Sequence, residues 1–347
     1  MIRIENISKN MGEFFLKNVS LDVSVGEYLM ILGPTGAGKT ILLETIAGIY
    51  PPDKGKIYLN DRDITGLPPR KRNIGMVYQD FMLFPHLNVE KNIKYGMRSK
   101  KYSKQEVTEK VNKLADLLGI SHLLNRHPGT LSGGEKQRIA IARALIMEPE
   151  VLLLDEPLSA LDSETRAKLR KELRRIHSFT QTTMIHVTHS FDEAFLLGSR
   201  MAIMHNGEIV QAGKPIDVFR KPNSRLVAEF LGVTNVFKGE SIINNGNSYI
   251  NVDGLKITST TARDGQIYAS IRPEDIHVSL EPILSSARNS FQGEIQEISD
   301  AGMVLRITVD VGILFVAAIT RRSFLDMGLK DGTKVFLTFK AADVHVF

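Results

Sequence analysis

The sequence predicts an α/β domain built on a mostly parallel sheet, followed by a smaller all-β domain. Three observations carry this. Continuous apolar runs such as YLMIL (28–32) and VLLLD (151–155) suit strands buried on both faces. Stretches of helical apolar spacing lie between such runs, and alternating strand and helix imply parallel strands with helices on the faces. From about Val236 short alternating runs sit between Gly, Asn and Asp turns, the texture of a barrel-like β domain.

Taken in order, IRIENI and FFLKNVSLDV read as strands set off by Gly12 and Gly26, and YLMIL as a buried strand closed by a glycine. ILLETIAGIY (41–50) has helical spacing and is stopped by Pro51-Pro52. Val107, Val111, Leu114 and Leu118 recur at helical intervals amid Lys and Glu, with Gly119 as the stop, so residues 89–125 read as a helical insertion. A helix should run from Gly133 to Met147, ended by Pro149. VLLLD is the next buried strand, residues 163–179 a polar amphipathic helix, and TTMIHVTH (182–189) a third buried strand. In the tail, NNGNS (244–248) is a turn signal.

The 347 residues exceed one ordinary domain of roughly 100–200, so two or three are expected. With 43% hydrophobic and 24% charged residues the chain is a folding one, which excludes global disorder. The net charge of +5 is small for this length and no block of five like charges occurs, so a nucleic-acid partner is not expected. Cysteine is absent, which excludes disulfides, thiolate metal sites and a Cys nucleophile. MIRIENISKN has no apolar core of a secretory signal, and no run approaches the ~18–20 apolar residues of a membrane span.

Residues 33–40, GPTGAGKT, fit G-x-x-x-x-G-K-[ST] between a strand and a helix. Gly33, Gly36 and Gly38, with Pro34, Thr35 and Ala37 between them, let backbone N–H groups curl inward around phosphate at a helix N-terminus. Lys39 would reach the β- and γ-phosphates, and the Thr40 hydroxyl would ligate Mg²⁺. The plainer reading is a glycine-rich turn. VLLLDEP puts two carboxylates at the end of a buried strand: Asp155 suits an outer Mg²⁺ ligand and Glu156 a general base for the attacking water. Alone, they could be a solvated strand end. In LSGGEKQR (131–138), Ser132, Gly133 and Gly134 make a second anion-binding helix start, or an ordinary Ser-capped one. A second loop for one nucleotide suggests that it serves a nucleotide held by another copy.

The order GPTGAGKT, YQD (78–80), LSGGEKQR, LLLDEP, SALD (159–162) and VTH (187–189) resembles the ATP-binding subunit of an ATP-binding-cassette (ABC) transporter, a P-loop NTPase. The resemblance covers roughly residues 1–230, with a helical subdomain at about 88–148, and leaves 231–347 as a β-rich, OB-like regulatory domain. It implies a head-to-tail homodimer with ATP between Gly33–Thr40 of one copy and Ser132–Gly134 of the other. It also implies that Gln79 senses Mg²⁺ and moves with a transmembrane permease dimer. It further implies that Asp162 lies in the loop that crosses the dimer and that His189 contacts the γ-phosphate. His186, inside the strand, reads as structural. Members usually stack an aromatic residue on adenine near position 11. Here Met11 stands there, with Phe14 and Phe15 close behind. Phe81, Leu83, Phe84 and Pro85 would be core packing, or part of a groove for the permease, exposed in the isolated subunit.

The tail segment SIRPEDIHVS (270–279) looks like that of sugar, polyamine, iron, sulfate and molybdate importers. SARN (286–289), FQGEI (291–295), AAITRRS (317–323), MGLKDG (327–332) and FKAADV (339–344) resemble the molybdate/tungstate-binding fold, at about 284–347. This implies an oxyanion held by Ser286, Arg288, Thr320, Lys340 and the Ala341 backbone, donors suited to a dianion. Otherwise they are solvated surface groups. The expected function is therefore the ATPase of a molybdate or tungstate importer at the cytoplasmic membrane face, served indirectly by an extracytoplasmic binding protein and open to feedback by the bound anion. Another cargo (sulfate, sugar, polyamine, ferric iron), a soluble ABC protein of DNA or ribosomes, and an oxyanion store are the competing readings.

Overall fold

The computed structural model describes residues 1–99, 102–300, 302 and 304–347. Residues 100 and 101, within the expected helical subdomain, lie outside this set. Two compact units emerge, Met1–Val218 and Phe219–Phe347. The division comes earlier than the expected boundary after residue 230. Its cause is that residues 219–230 are tied into the second unit. The Arg272 guanidinium stacks 3.4 Å over the Phe219 ring, His345 Nε2 lies 2.8 Å from the Pro222 carbonyl, and helix Arg225–Phe230 packs on strand Asn235–Asn244.

The first unit carries a six-stranded sheet in the order Glu208–Gly213, Arg200–His205, Tyr28–Leu32, Thr183–Thr188, Val151–Asp155, Ile74–Val77. All neighbours are parallel except the first pair. Every residue of Tyr28–Leu32, Val151–Asp155 and Thr183–Thr188 is buried, which explains their unbroken apolar runs. A four-stranded antiparallel sheet, Phe15–Val23, Ile2–Asn10, Lys54–Leu59 and Arg62–Asp63, shares its core. Helix Lys39–Ala47 ends at Gly48, whose φ of 86° gives the left-handed cap. The helical stretch holds Val89–Ile93, Lys104–Leu117 and Gly133–Leu145. Gly119 follows the second of these with φ 63°.

The second unit is all-β in its sheets. One has the order Leu255–Ser259, Asn247–Val252, Asn235–Asn244, Gly265–Ile271, His345–Val346. The other has the order His277–Ser279, Lys334–Phe339, Asn289–Asp300, Val304–Asp310, Leu314–Thr320. Both bury one apolar face in a common core around Phe315, Phe339 and Ile307. Asn244 pairs with Asn247, and Asn245 and Gly246 both have positive φ, so the turn expected at NNGNS is a two-residue hairpin. Between strand Leu314–Thr320 and the next strand sits a short helix, Arg321–Asp326, capped by Thr320.

Candidate nucleotide site

Parallel strands all point one way, so their ends share one edge, where ligands of open α/β sheets bind. The register sets this edge. Leu32 pairs with Thr188, Val187 with Asp155, and Leu154 with Val77. Gly33, Glu156, His189 and Gln79 all follow within two residues of these ends, so four segments far apart in sequence converge.

Gly33 has no room for a side chain: a Cβ there would meet the Met204 carbonyl oxygen at 2.1 Å. Gly38 has φ 94° and caps the helix that begins at Lys39. Ala37 is buried and its carbonyl accepts from the Gly207 amide at 3.0 Å. Thr35 and Gly36 stay exposed, and Pro34 is half-buried. Lys39, only 7% exposed, curls back over its own loop and donates to the Gly33 and Pro34 carbonyls at 2.8 and 2.9 Å. Burial pushes its ammonium below the ordinary lysine value, against the pull of Glu156 and Asp155.

Thr40 donates to Asp155 Oδ1 at 3.1 Å. Burial raises the Asp155 carboxyl, and the Thr40 hydrogen bond works against that. Glu156 stands in the left-handed region with φ 42°, its amide donating to the Val187 carbonyl at 3.0 Å. That bend turns the side chain off the strand line, and Oε2 comes to 3.4 Å from His189 Nδ1. His189 is exposed, whereas His186 is wholly buried against the Tyr28 hydroxyl at 3.0 Å.

Gln79 is exposed just past its strand. After it, Phe81 and Met82 are consecutive left-handed residues, φ 60° and 47°, a strained pair. Arg143 of helix Gly133–Leu145 holds them by donating to the Met82 and Phe81 carbonyls at 2.6 and 3.1 Å. Buried Asn92 secures the Phe84 amide and the Phe84 carbonyl. Met82 is 58% exposed, and Phe81, Leu83 and Phe84 are half-buried, so this run is not all core. The sequence pointed to the run but held no signal for its clamps, Arg143 and Asn92.

Ser132 caps helix Gly133–Leu145 in a capping box with Glu135, and Gly134 is pressed against Thr165. Asp162 caps helix Ser163–Thr180 by accepting from the Thr165 amide at 3.0 Å. Among the described residues no hydrogen bond or ion pair joins Ser132–Gly134 to Gly33–Thr40. Met11 is partly exposed and its amide bonds the Phe14 carbonyl at 2.7 Å. It is the Phe14 ring that stands over the loop, 3.5 Å from where a Gly36 Cβ would be.

In the second unit the expected oxyanion donors fall in two groups. Ser286 and Arg288 precede strand Asn289–Asp300 and Lys340 follows Phe339, the partner of Asn289, so these sit at one end of that strand. Buried Ala341 comes next, its carbonyl accepting from the Thr260 amide. Thr320 pairs with Val304, whose neighbour Leu305 pairs with Asp300, the strand's other end. Thr320 itself donates to the Ser323 hydroxyl at 2.9 Å.

Comparison with known proteins identifies the family. The ABC transporter family model matches residues 16–159, and the TOBE domain model matches residues 285–346. The molybdate/tungstate import ATP-binding protein of Pyrococcus horikoshii is 47% identical over all of both chains. The Fe(3+) ions import ATP-binding protein of Fusobacterium nucleatum is 36% identical over all of this chain and 93% of its own. Among solved structures, an ATP-binding cassette in a dimeric post-hydrolysis state with ADP and Pi aligns at TM-score 0.56 and 31% identity, covering 62% of this chain and 99% of that one. The chain belongs to the family of ATP-binding subunits of ABC transporters, transport ATPases of the P-loop class. No described helix is long and apolar enough to cross a membrane.

Proposed function

We propose that this chain is the ATP-hydrolysing subunit that energises import of molybdate or tungstate through a partner permease. The observation that carries the cargo is the likeness to a molybdate/tungstate import protein along the full length, regulatory unit included. Two copies stand head to tail, each ATP lying between Gly33–Thr40 of one and Ser132–Gly134 of the other, with Asp162 near the crossing. In forming that complex Lys39 exchanges the Gly33 and Pro34 carbonyls for phosphate oxygens. Thr40 and Asp155, already hydrogen-bonded, offer the hard oxygen donors that Mg²⁺ prefers, and Gln79 adds an amide oxygen. Magnesium, when bound, neutralises charge on the β- and γ-phosphates. Glu156 takes the proton of the attacking water, and His189 steadies the γ-phosphate. Phe14 supplies the apolar face for adenine.

The partly exposed run from Phe81 to Pro85 receives a segment of the permease, so the subunit works as a peripheral protein on the cytoplasmic membrane face. An extracytoplasmic binding protein hands the anion to the permease. Ser286, Arg288, Thr320, Lys340 and the Ala341 backbone hold the oxyanion. Because Thr320 lies at the far end of the strand from Arg288 and Lys340, the site takes its donors from two copies. Anion bound there opposes the ATP-closed pair, by linkage. Calorimetry of molybdate, tungstate and sulfate on the full chain tests this. Molybdate or tungstate should bind, sulfate far more weakly, and Arg288→Ala or Lys340→Ala should abolish the heat. If no oxyanion binds, the second reading takes over: the same ATPase role for another cargo, as the likeness to a ferric-ion import protein allows.

A further inference from the structure

His189 is an exposed side chain on a short loop, yet a catalytic histidine needs a fixed place. The loop is bracketed by one buried circuit. On its near side the Thr188 hydroxyl donates to Glu193 Oε2 at 2.7 Å and accepts from the Ser190 amide at 3.1 Å. On its far side the Ser190 hydroxyl accepts from the Glu193 amide at 3.4 Å, capping helix Phe191–Leu197. The residues before and after His189 are thus both anchored to Glu193. Beneath them His186 Nε2 lies 3.5 Å from Glu193 Oε2, and the Tyr28 hydroxyl closes on His186 Nδ1 at 3.0 Å. Tyr28, His186, Thr188 and Glu193 are all at most 4% exposed.

A buried carboxylate without partners is costly, and the hydrogen bond that holds Glu193 here comes from the Thr188 hydroxyl. Burial works to raise the Glu193 carboxyl, but the His186 ring beside it, the hydrogen bond from the Thr188 hydroxyl and the charge of Arg166 outweigh it and leave it below the ordinary value. Arg166 in turn donates to the Leu158 and Leu161 carbonyls at 3.2 and 2.8 Å, the loop between Glu156 and Asp162.

We infer that Glu193 is a positioning residue for hydrolysis: through Thr188 and Ser190 it sets the loop that aims His189 at the γ-phosphate. This rests on the role given to His189 above. Displacement of a reacting group by about 1 Å can cost on the order of 100-fold in rate, so the effect should fall on kcat and spare nucleotide binding. The test compares Thr188→Val, which removes the shared hydroxyl, with Thr188→Ser, which keeps it, and Glu193→Gln, in the intact transporter. Phosphate release at saturating ATP should fall about 10- to 100-fold for Thr188→Val and less for Glu193→Gln, with KM for ATP within threefold of the parent. Thr188→Ser should stay near the parent rate. Unchanged kcat in Thr188→Val and Glu193→Gln would overturn the inference. So would kcat and nucleotide affinity falling together with the melting temperature. Should Thr188→Val not fold, the Glu193→Gln and Thr188→Ser pair decides alone. His189→Ala is the control: if it hydrolyses ATP normally, the reading of His189 fails rather than that of Glu193.

Discussion

The Thr40 hydroxyl donates to Asp155 Oδ1 at 3.1 Å, joining the start of one helix to the end of a strand 115 residues on. The phosphate loop and the acidic strand end are thereby joined into one site. Asp155→Asn keeps the shape and the hydrogen bond but removes the charge. It should raise the Mg²⁺ concentration for half-maximal phosphate release by about 10- to 100-fold. A metal titration unchanged by the substitution would refute the assignment of Asp155.

The Phe14 ring lies by the phosphate loop, 3.5 Å from where a Gly36 Cβ would be. Stacking of a base on an aromatic ring contributes about 1–3 kcal/mol, so Phe14→Ala should weaken ATP binding by that amount. Met11→Ala should weaken it by less. Titration with a fluorescent ATP analogue separates the two, and equal losses would assign the adenine face to Met11 as well.

The capping box at Ser132 predicts a pH dependence of stability. The Ser132 backbone amide donates to Glu135 and holds its carboxyl below the ordinary value of 4.5. A carboxyl whose pKa is lower folded than unfolded stabilises the fold above the unfolded value, and that contribution is lost as the pH falls through the folded value. Glu135→Ala should therefore cost about 1 kcal/mol at pH 7 in urea unfolding without nucleotide. The gap to the parent should narrow as the pH drops below 4.5. A gap that widens with acid would contradict the box.

Much of this was legible in the sequence because the phosphate-site residues cluster in short motifs at strand ends. YLMIL, VLLLD and TMIHVT are buried on both faces, so their composition alone marked them as inner strands. Strands Ile74–Val77, Arg200–His205 and Glu208–Gly213 drew no such attention. They are short or mixed in polarity, and their pairing is decided by distant partners. Arg143 and Asn92 were invisible for a related reason, since each acts on backbone carbonyls or amides that leave no trace in residue type. The division at Val218 differs from the expected one after residue 230 because contacts such as Arg272 on Phe219 join residues 53 apart. His186 is buried inside its strand, as its place in TMIHVT predicts, whereas its approach to Glu193 is a matter of packing.

Two copies of the chain are expected to complete one another's nucleotide pocket. The chain has no cysteine, so a Thr35→Cys, Ser132→Cys double variant offers a short bifunctional thiol reagent only the two designed positions. In the Glu156→Gln background with ATP and Mg²⁺, denaturing gels should show a product at twice the 38.7 kDa chain mass, and much less of it without nucleotide. Linkage confined to single chains, or no ATP-dependent product at all, would contradict the shared site.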